Sequence, residues 1–250
     1  MKKRIAIITG ASSGIGQEFV RQLDQCTRTI EEVWIIARRK ERLLEVKRKV
    51  RNLTVRVFDL DICKESDLKL LSKYLMEESP IVRVLVNAAG AGRAGRFDRI
   101  ELKEAVNMVE LNDRALVAMT YMVLPYMAKP GNIIQLASAS AFMPQKEFAV
   151  YAASKAFVLS FSRALHAELK REGITVTAVC PGPVDTEFLL ISNRGNKQKP
   201  LKKLVTVKTE PVVKKALRDA RAGKEISIYG LPMKAVLLAA KYLPHGLFLR

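Results

Sequence analysis

The chain begins with an apolar run that leads into Thr9-Gly10-Ala11-Ser12-Ser13-Gly14-Ile15-Gly16, and a helical pattern follows over residues 17–23. Glycines at a strand-to-helix turn let the backbone pass close to a pyrophosphate. The helix behind such a turn offers unpaired N–H groups and a partial positive charge at its N-terminus. A glycine-rich turn alone is a weak signal, but its placement after a first strand and before a helix is typical of dinucleotide-binding folds.

Strand-like and helical patterns alternate along the rest of the chain. The strand candidates are short, apolar and rich in Val and Ile, as expected of strands buried on both faces. They cover residues 5–9, 33–37, 55–58, 84–87, 132–136, 175–179 and 225–229. Clear helical patterns occupy residues 41–50, 65–77, 102–127 and 151–172. The alternation predicts a Rossmann-like, doubly wound α/β fold, a parallel sheet of about seven strands with helices on both faces. Because no linker interrupts it, we expect a single domain over residues 1–250.

The composition limits the choice of partners. Lys and Arg outnumber Asp and Glu by 43 to 25, which gives a formal net charge of +18. This charge fits nucleic acid, anionic lipid or an acidic carrier protein as a partner, and fits a solvated basic surface equally well. The sequence contains no aromatic-rich stacking motif and no helix-turn-helix pattern, so nucleic acid is the disfavoured partner.

The cysteines, the histidines and the hydropathy argue against a disulfide-bonded, a metal-binding or a membrane-spanning protein. Cys26, Cys63 and Cys180 are far apart and form no C-x-x-C pair, which indicates a reducing, cytoplasmic compartment. His166 and His245 have no second ligand-type residue at a metal-binding spacing, so we expect no metal site. No apolar run is long enough to span a bilayer, which leaves peripheral attachment as the only membrane association to consider.

The second strand candidate ends in Ala37-Arg38-Arg39. Folds that prefer NAD place an acidic residue here, where it hydrogen-bonds the adenosine 2′-hydroxyl. Arginine suits a 2′-phosphate instead, because its fork donates two charge-assisted hydrogen bonds. The plain alternative is a basic start to an exposed helix, since Lys40 and Arg42 follow. The location favours NADP(H), with Arg38 and Arg39 as cofactor-binding residues.

Tyr151 and Lys155 are four residues apart in a helical pattern and therefore project from one face. A free phenol titrates near pH 10, so acid–base work at neutral pH requires its pKa to fall by about three units, roughly 4 kcal/mol. An ammonium about 4 Å away supplies up to about 4 kcal/mol at an effective dielectric of about 20. Taken alone, the pattern is also that of an ordinary amphipathic helix.

Polar residues at the ends of other strands strengthen the catalytic interpretation. Ser138 follows the strand candidate 132–136, at the edge where open α/β sheets build their sites, and its hydroxyl can hold a carbonyl oxygen. The segment Asn87-Ala88-Ala89-Gly90 ends a second strand. Asn112 lies within the helical pattern 102–127, where asparagine is a mediocre choice.

Because these motifs occur together in one order, the chain resembles the short-chain dehydrogenase/reductase family over residues 4–190. The resemblance implies a catalytic tetrad of Asn112, Ser138, Tyr151 and Lys155. It implies an acidic residue beside the adenine ring, best matched by Asp61, with Asp59 as the alternative. Ala88 departs from the family motif by replacing its second asparagine. The cofactor contacts implied are Gly10, Ser12, Ser13, Gly14, Ile15, Gly16, Asp61, Ile62, Asn87, Ala88, Gly90, Tyr151, Lys155, Pro181, Gly182, Val184 and Thr186.

The family mechanism carries over by position. In the reductive direction NADPH delivers hydride to a carbonyl carbon while Tyr151 donates the proton. Lys155 lowers the pKa of Tyr151, Ser138 polarises the carbonyl, and Asn112 supports a water chain. The implied function is an NADP(H)-dependent oxidoreductase of a ketone or secondary alcohol, lipophilic in the manner of a hydroxysteroid, retinoid or ketoacyl group. The alternative is an NADP-binding sensor or scaffold, against which the intact tetrad argues.

The resemblance also implies a lid over the substrate and assembly with further copies of the chain. Residues 186–209 cover the substrate in relatives, and relatives pair through helices matching 102–127 and 151–172, so we expect a homodimer or homotetramer. The apolar run 187–191 either lines a pocket or packs on its own domain. The tail 231–250 packs within the protein or its oligomer, or rests on a membrane surface. The basic residues after the apolar run either hold an anionic substrate or carrier or are solvated: Arg194, Lys197, Lys199, Lys202, Lys203 and Lys208.

Overall fold

The computed structural model describes residues 2–26, 29–192, 206–244, 246 and 249. The strands within these residues form one seven-stranded sheet in the order β3-β2-β1-β4-β5-β6-β7, and every neighbouring pair is parallel. The strands are β1 Arg4–Thr9, β2 Glu32–Ile36, β3 Thr54–Phe58, β4 Ile81–Asn87, β5 Met127–Leu136, β6 Ile174–Val179 and β7 Ile226–Ser227. The order reverses direction between β1 and β4, which opens a crevice at their carboxyl ends.

Helices cover both faces of the sheet. They are α1 Gly14–Cys26, α2 Lys40–Lys49, α3 Glu65–Glu78, α4 Leu102–Val109, α5 Ala115–Val123, α6 Ala149–Leu169, α7 Glu187–Ser192, α8 Thr209–Arg221 and α9 Leu231–Tyr242. Ala6 and Ile8 of β1 pack in one apolar cluster with α1, α2 and α8, whereas Ile5 and Ile7 pack in the other with α3 and α5. The two buried faces explain the near-continuous apolar strands, and the Rossmann-like prediction is confirmed.

The long helical pattern 102–127 is not one helix. A π-helical turn, Glu110–Arg114, separates α4 from α5, and a 3-10 turn, Leu124–Tyr126, follows. Met127, predicted as the last helical residue, instead begins β5. Pro125 in the 3-10 turn has no N–H to continue a helical ladder, which explains the end of the helix there.

The carboxyl-terminal third departs further from the predicted elements. The last strand is limited to Ile226–Ser227 rather than the predicted 225–229. In the predicted tail, α9 packs Met233, Val236 and Leu237 into a third apolar cluster and leaves Leu231 exposed. Of the predicted lid, positions 193–205 lie outside the described residues, and so do positions 245, 247, 248 and 250 of the tail. Among the described residues, no helix has the length and apolar character needed to cross a bilayer.

Candidate active site

The glycine turn is fixed by steric contacts that exclude side chains. Gly10 and Gly14 have φ values of +66° and +54°, which favour glycine. A Cβ on Gly10 would lie 2.7 Å from the backbone nitrogen of Ala89, and one on Gly16 would lie 2.3 Å from the carbonyl oxygen of Gly10. The turn therefore packs directly against the end of β4 and brings the N-terminus of α1 to the crevice. Helix N-termini of this kind bind phosphate groups.

The end of β4 is held by buried polar side chains. Asn87 donates hydrogen bonds from Nδ2 to Thr120 Oγ1 at 3.0 Å and Gln135 Oε1 at 2.9 Å. The Ala89 N–H donates to Thr9 Oγ1 at 3.2 Å, so β1 and β4 are joined beyond their strand pairing. Ala88 keeps the turn without a polar side chain. A Cβ on Gly90 would lie 3.2 Å from Asn112 Oδ1 and 3.4 Å from Lys155 Nζ, so the backbone at this position packs against two of the predicted catalytic side chains.

The adenosine end of the crevice carries the two predicted arginines. Arg39 donates from Nη2 to Ser13 Oγ at 3.0 Å and also pairs with Glu187. Arg38 is exposed and lies close enough to Cys63 for its charge to act on the thiol. Burial and the charge of Asp61 raise the pKa of the Cys63 thiol, and the charge of Arg38 opposes that rise. Arg39 therefore contacts the glycine turn directly, whereas Arg38 lies near Cys63.

The two candidate acidic residues for the adenine contact differ in their own contacts, and Asp61 bonds to the local backbone. Its Oδ1 accepts a hydrogen bond from the Cys63 N–H at 3.1 Å, beside buried Ile62. Asp59 instead lies 3.5 Å from the ammonium of Lys40, with roughly half of its side chain exposed. The structure thus gives Asp59 a surface ion pair, whereas the Asp61 carboxylate accepts a hydrogen bond from the local backbone.

Asn112 is placed by the π-helical turn and is completely buried. Its Oδ1 accepts from the Ala91 N–H at 2.8 Å, and its Nδ2 donates to the Ala91 carbonyl at 2.9 Å and to Ser154 Oγ at 2.9 Å. These contacts join the π-helical turn to α6 and to the segment after β4. Single π-helical turns inside helices are frequent at functional sites, and this one fixes the side chain next to the catalytic helix.

Tyr151 and Lys155 lie on one face of α6, as the spacing predicted, and both are buried. The Lys155 ammonium lies 5.8 Å from the centroid of the Tyr151 ring and donates to the Leu136 carbonyl at 2.7 Å. Ser138 follows β5, and its Oγ accepts from the Ser140 N–H at 3.1 Å. A hydrogen bond from Ser138 also acts on the Tyr151 phenol. The structure therefore brings the four predicted catalytic residues together.

The titration of the pair differs from the sequence expectation. Burial raises the pKa of Tyr151 to about 12, opposed by the hydrogen bond with Ser138. Burial lowers the pKa of Lys155 to about 8, opposed by the carboxylate of Asp113. The expected fall of the Tyr151 pKa does not occur in this structure: burial raises it, and Lys155, whose ammonium donates to the Leu136 carbonyl, is not among the groups that shift it. At neutral pH the phenol is protonated and the ammonium is charged, which are the states that proton donation requires.

Sequence reasoning missed Asp113. Its Oδ1 is buried with no hydrogen-bond partner among the described residues. Burial raises the pKa of its carboxyl to about 6, and the charge of Lys155 opposes that rise. An acidic side chain in the middle of a mostly apolar helical pattern was the only available signal.

Two aromatic rings enclose Tyr151 and were also missed. The Phe148 ring centroid lies 4.4 Å from that of Tyr151, and the Phe188 centroid lies 5.6 Å away. A Cβ on Gly92 would lie 2.6 Å from Phe188 Cζ, so the Phe188 ring packs on bare backbone. Phe188 comes from α7 and Phe148 from the residue before α6, which builds an apolar wall beside the phenol.

The segment 181–186, which follows β6, lies against the glycine turn and α9. Pro181 accepts a hydrogen bond from the Ala139 N–H at 2.9 Å. A Cβ on Gly182 would lie 2.5 Å from Met233 Sδ, so α9 packs over this position. Val184 is buried and forms a parallel bridge with Val207. A Cβ on Gly14 would lie 3.1 Å from Thr186 Cγ2, which places this segment against the glycine turn.

Comparison with known proteins agrees with this arrangement. The family model for short chain dehydrogenases matches residues 4–196. An uncharacterized oxidoreductase of Staphylococcus epidermidis is 31% identical over 201 residues, which cover 80% of this chain and 86% of that protein. Sulfoacetaldehyde reductase 2 of Chromohalobacter salexigens is 32% identical over 197 residues, 77% of each chain. A short-chain dehydrogenase from Sphingobium yanoikuyae in complex with NADPH superimposes with a TM-score of 0.82 at 27% identity, covering 98% of this chain and 94% of that one. The chain belongs to the short-chain dehydrogenase family of oxidoreductases, enzymes that act on CH–OH groups.

Proposed function

We propose that this protein is an NADP(H)-dependent reductase of lipophilic ketones, with Tyr151 as the proton donor. The observation that carries the proposal is the buried pair of Tyr151 and Lys155 beside Ser138, at the carboxyl ends of β4 and β5. When bound, NADPH supplies the hydride. The residues proposed to hold it are those of the glycine turn, Arg38 and Arg39, Asp61 and Ile62, and the segments that follow β4 and β6.

Side chains of the protein then donate and resupply the proton. The Tyr151 phenol, protonated at neutral pH because its pKa is about 12, donates to the oxygen that becomes the alcohol. Ser138 holds that oxygen and supports the negative charge that develops there. Lys155 keeps a positive charge near the phenol, and Asn112 links α6 to the backbone of Ala91, which supports its proposed role in resupplying the proton.

The substrate class is proposed from the wall around the phenol. Phe148 and Phe188 present aromatic faces to Tyr151, and α7 adds the exposed apolar side chains of Leu190 and Ile191. Apolar walls with a few convergent polar groups are typical of sites for lipophilic small molecules. We therefore favour a steroid, retinoid or ketoacyl group over a small hydrophilic carbonyl compound.

We also propose a homodimer or homotetramer. Helices α4, α5 and α6 expose apolar side chains that would otherwise face water, as is typical of subunit contacts. They are Leu102, Val106, Val109, Tyr121 and Phe157.

A cytoplasmic location is proposed because the three cysteines are free thiols. Contact with a membrane surface or an acidic carrier protein remains an alternative role for the basic surface.

The test is NADPH oxidation, with NADH in parallel, over ketosteroids, acetoacetyl thioesters, retinal, small diketones and sulfoacetaldehyde. We expect turnover of a lipophilic ketone with preference for NADPH. Turnover of sulfoacetaldehyde alone would contradict the substrate class, and equal use of NADH would contradict the cofactor preference. Tight NADPH binding without any turnover would favour the alternative of a non-catalytic NADP-binding sensor.

A further inference from the structure

An ion pair joins the cofactor crevice to α7, Glu187–Ser192, called the lid helix here because it lies within the predicted lid 186–209. Arg39, the residue before α2, and Glu187, the first residue of α7, are 148 positions apart in sequence. Arg39 Nη1 donates to Glu187 Oε1 at 2.9 Å, and Nη2 donates to Oε2 at 2.8 Å. This is the bidentate geometry in which arginine binds carboxylates and phosphates most specifically. The hydrogen bond from Arg39 also lowers the pKa of the Glu187 carboxyl.

The same guanidinium reaches the glycine turn. Arg39 Nη2 donates to Ser13 Oγ at 3.0 Å and approaches Ser12 Oγ at 3.4 Å. Both terminal nitrogens of Arg39 are thus engaged at the crevice, one with Glu187 alone and the other with Glu187 and the serines. A 2′-phosphate bound by Arg39 needs these same N–H groups, and it would also meet the negative charge of Glu187.

We propose that Glu187 moderates the preference for NADP(H) by competing with its 2′-phosphate for Arg39. The proposal rests on the NADP(H) preference proposed above. NADH has no 2′-phosphate and leaves the ion pair intact, whereas NADP(H) displaces the Glu187 carboxylate. Because Phe188 follows Glu187 directly and packs beside Tyr151, the exchange releases the first residue of the lid helix only when the phosphorylated cofactor binds.

The ion pair between Arg39 and Glu187 is weak enough for the 2′-phosphate of NADP(H) to displace the Glu187 carboxylate. The side chains of Arg39 and Glu187 are 42% and 40% exposed, and solvent screens a pair of this kind. Exposed ion pairs change an equilibrium by no more than about fivefold. A dianionic phosphate binds the arginine fork more strongly than a single carboxylate does. Glu187 therefore reduces affinity for the 2′-phosphate modestly and has no effect on the unphosphorylated cofactor.

The test is calorimetric binding of adenosine 2′,5′-bisphosphate and of 5′-AMP, which isolate the 2′-phosphate from hydride transfer. Glu187→Gln should tighten the bisphosphate about fivefold and change 5′-AMP by less than about twofold. Asp185→Asn is the matched control, because Asp185 is an exposed carboxylate in the same segment with no ion pair among the described residues. In the Arg39→Ala background, Glu187→Gln should have no effect on either probe.

The outcomes separate this proposal from the one on which it rests. Unchanged or weaker bisphosphate binding in Glu187→Gln overturns the competition, and so does an equal gain in Asp185→Asn. A gain that persists without Arg39 means that Glu187 acts through general charge, which also overturns it. If the wild-type protein binds both probes equally and Arg39→Ala alters neither, the NADP(H) preference itself fails. If Arg39→Ala selectively weakens the bisphosphate while Glu187→Gln changes nothing, only the Glu187 proposal fails.

Discussion

Replacing Lys155 by Met should stabilise the protein at neutral pH while abolishing its turnover. Lys155 is 4% exposed, and burial lowers the pKa of its ammonium from 10.5 to about 8. The charged form is therefore disfavoured in the folded state, which costs about 3 kcal/mol at neutral pH. Methionine has a similar length and carries no charge. Loss of the hydrogen bond to the Leu136 carbonyl offsets about 2 kcal/mol of this gain, leaving a net stabilisation of about 1 kcal/mol.

The pH dependence of the stability difference separates the titration of Lys155 from the loss of its hydrogen bond to the Leu136 carbonyl. Because the folded-state pKa of Lys155 lies below its unfolded value, the cost is fully present below pH 8. It shrinks as the pH rises from 8 to 10.5 and vanishes only above 10.5, where the group is neutral in both states. Urea unfolding at several pH values should show the advantage of Lys155→Met over wild type falling by about 3 kcal/mol across this interval.

The control is Lys214→Met, which removes an exposed lysine from α8 and should show no such change with pH. A difference between Lys155→Met and wild type that stays constant from pH 7 to 10.5 would refute the reasoning. It would mean that the ammonium is as well solvated in the folded protein as in the unfolded chain.

The remaining predictions concern pH and the aromatic wall. The kcat/KM for ketone reduction should fall tenfold per pH unit above about 8, where Lys155 loses its charge; a profile that is flat to pH 10 would contradict this. Asp113→Asn should move that fall to lower pH, because the Asp113 carboxylate raises the pKa of Lys155, and an unmoved profile would count against the coupling. Gly92→Ala should displace Phe188, whose Cζ would lie 2.6 Å from the new Cβ, and raise KM with little loss of stability. The control Gly246→Ala, whose Cβ position has no atom of the described residues within 4 Å, should leave KM unchanged. An unchanged KM in both variants would exclude Phe188 from the substrate wall.

The alternation of strands and helices and the placement of Tyr151 and Lys155 on one helix face could be predicted because they depend on local patterns. Gly10 and Gly14 have φ values that disfavour side chains, and such constraints are visible in a sequence as glycines between a strand and a helix. The spacing of Tyr151 and Lys155 places them on one helix face wherever that helix packs.

The features that were not predicted depend on contacts between distant segments. Glu187 meets Arg39 across 148 positions, and no pattern within either segment indicates the pair. The short β7 has only a two-residue pairing with β6, which hydrophobicity alone cannot delimit. The sign of the Tyr151 pKa shift depends on how deeply the phenol is buried, and burial at a helix terminus cannot be derived from the spacing of two residues.

The central claim is that Tyr151 donates the proton during hydride transfer from NADPH to a carbonyl group. It is tested most directly with NADPH deuterated at C4 on either face, a ketone substrate, and the wild-type and Tyr151→Phe proteins. We expect the wild-type protein to transfer deuterium from one face to the carbinol carbon. Tyr151→Phe should lose at least about a thousandfold in kcat, since it lacks the general acid, while NADPH binding measured by fluorescence is unchanged. Deuterium transfer by Tyr151→Phe within about tenfold of the wild-type rate would contradict the assignment of Tyr151 as the proton donor.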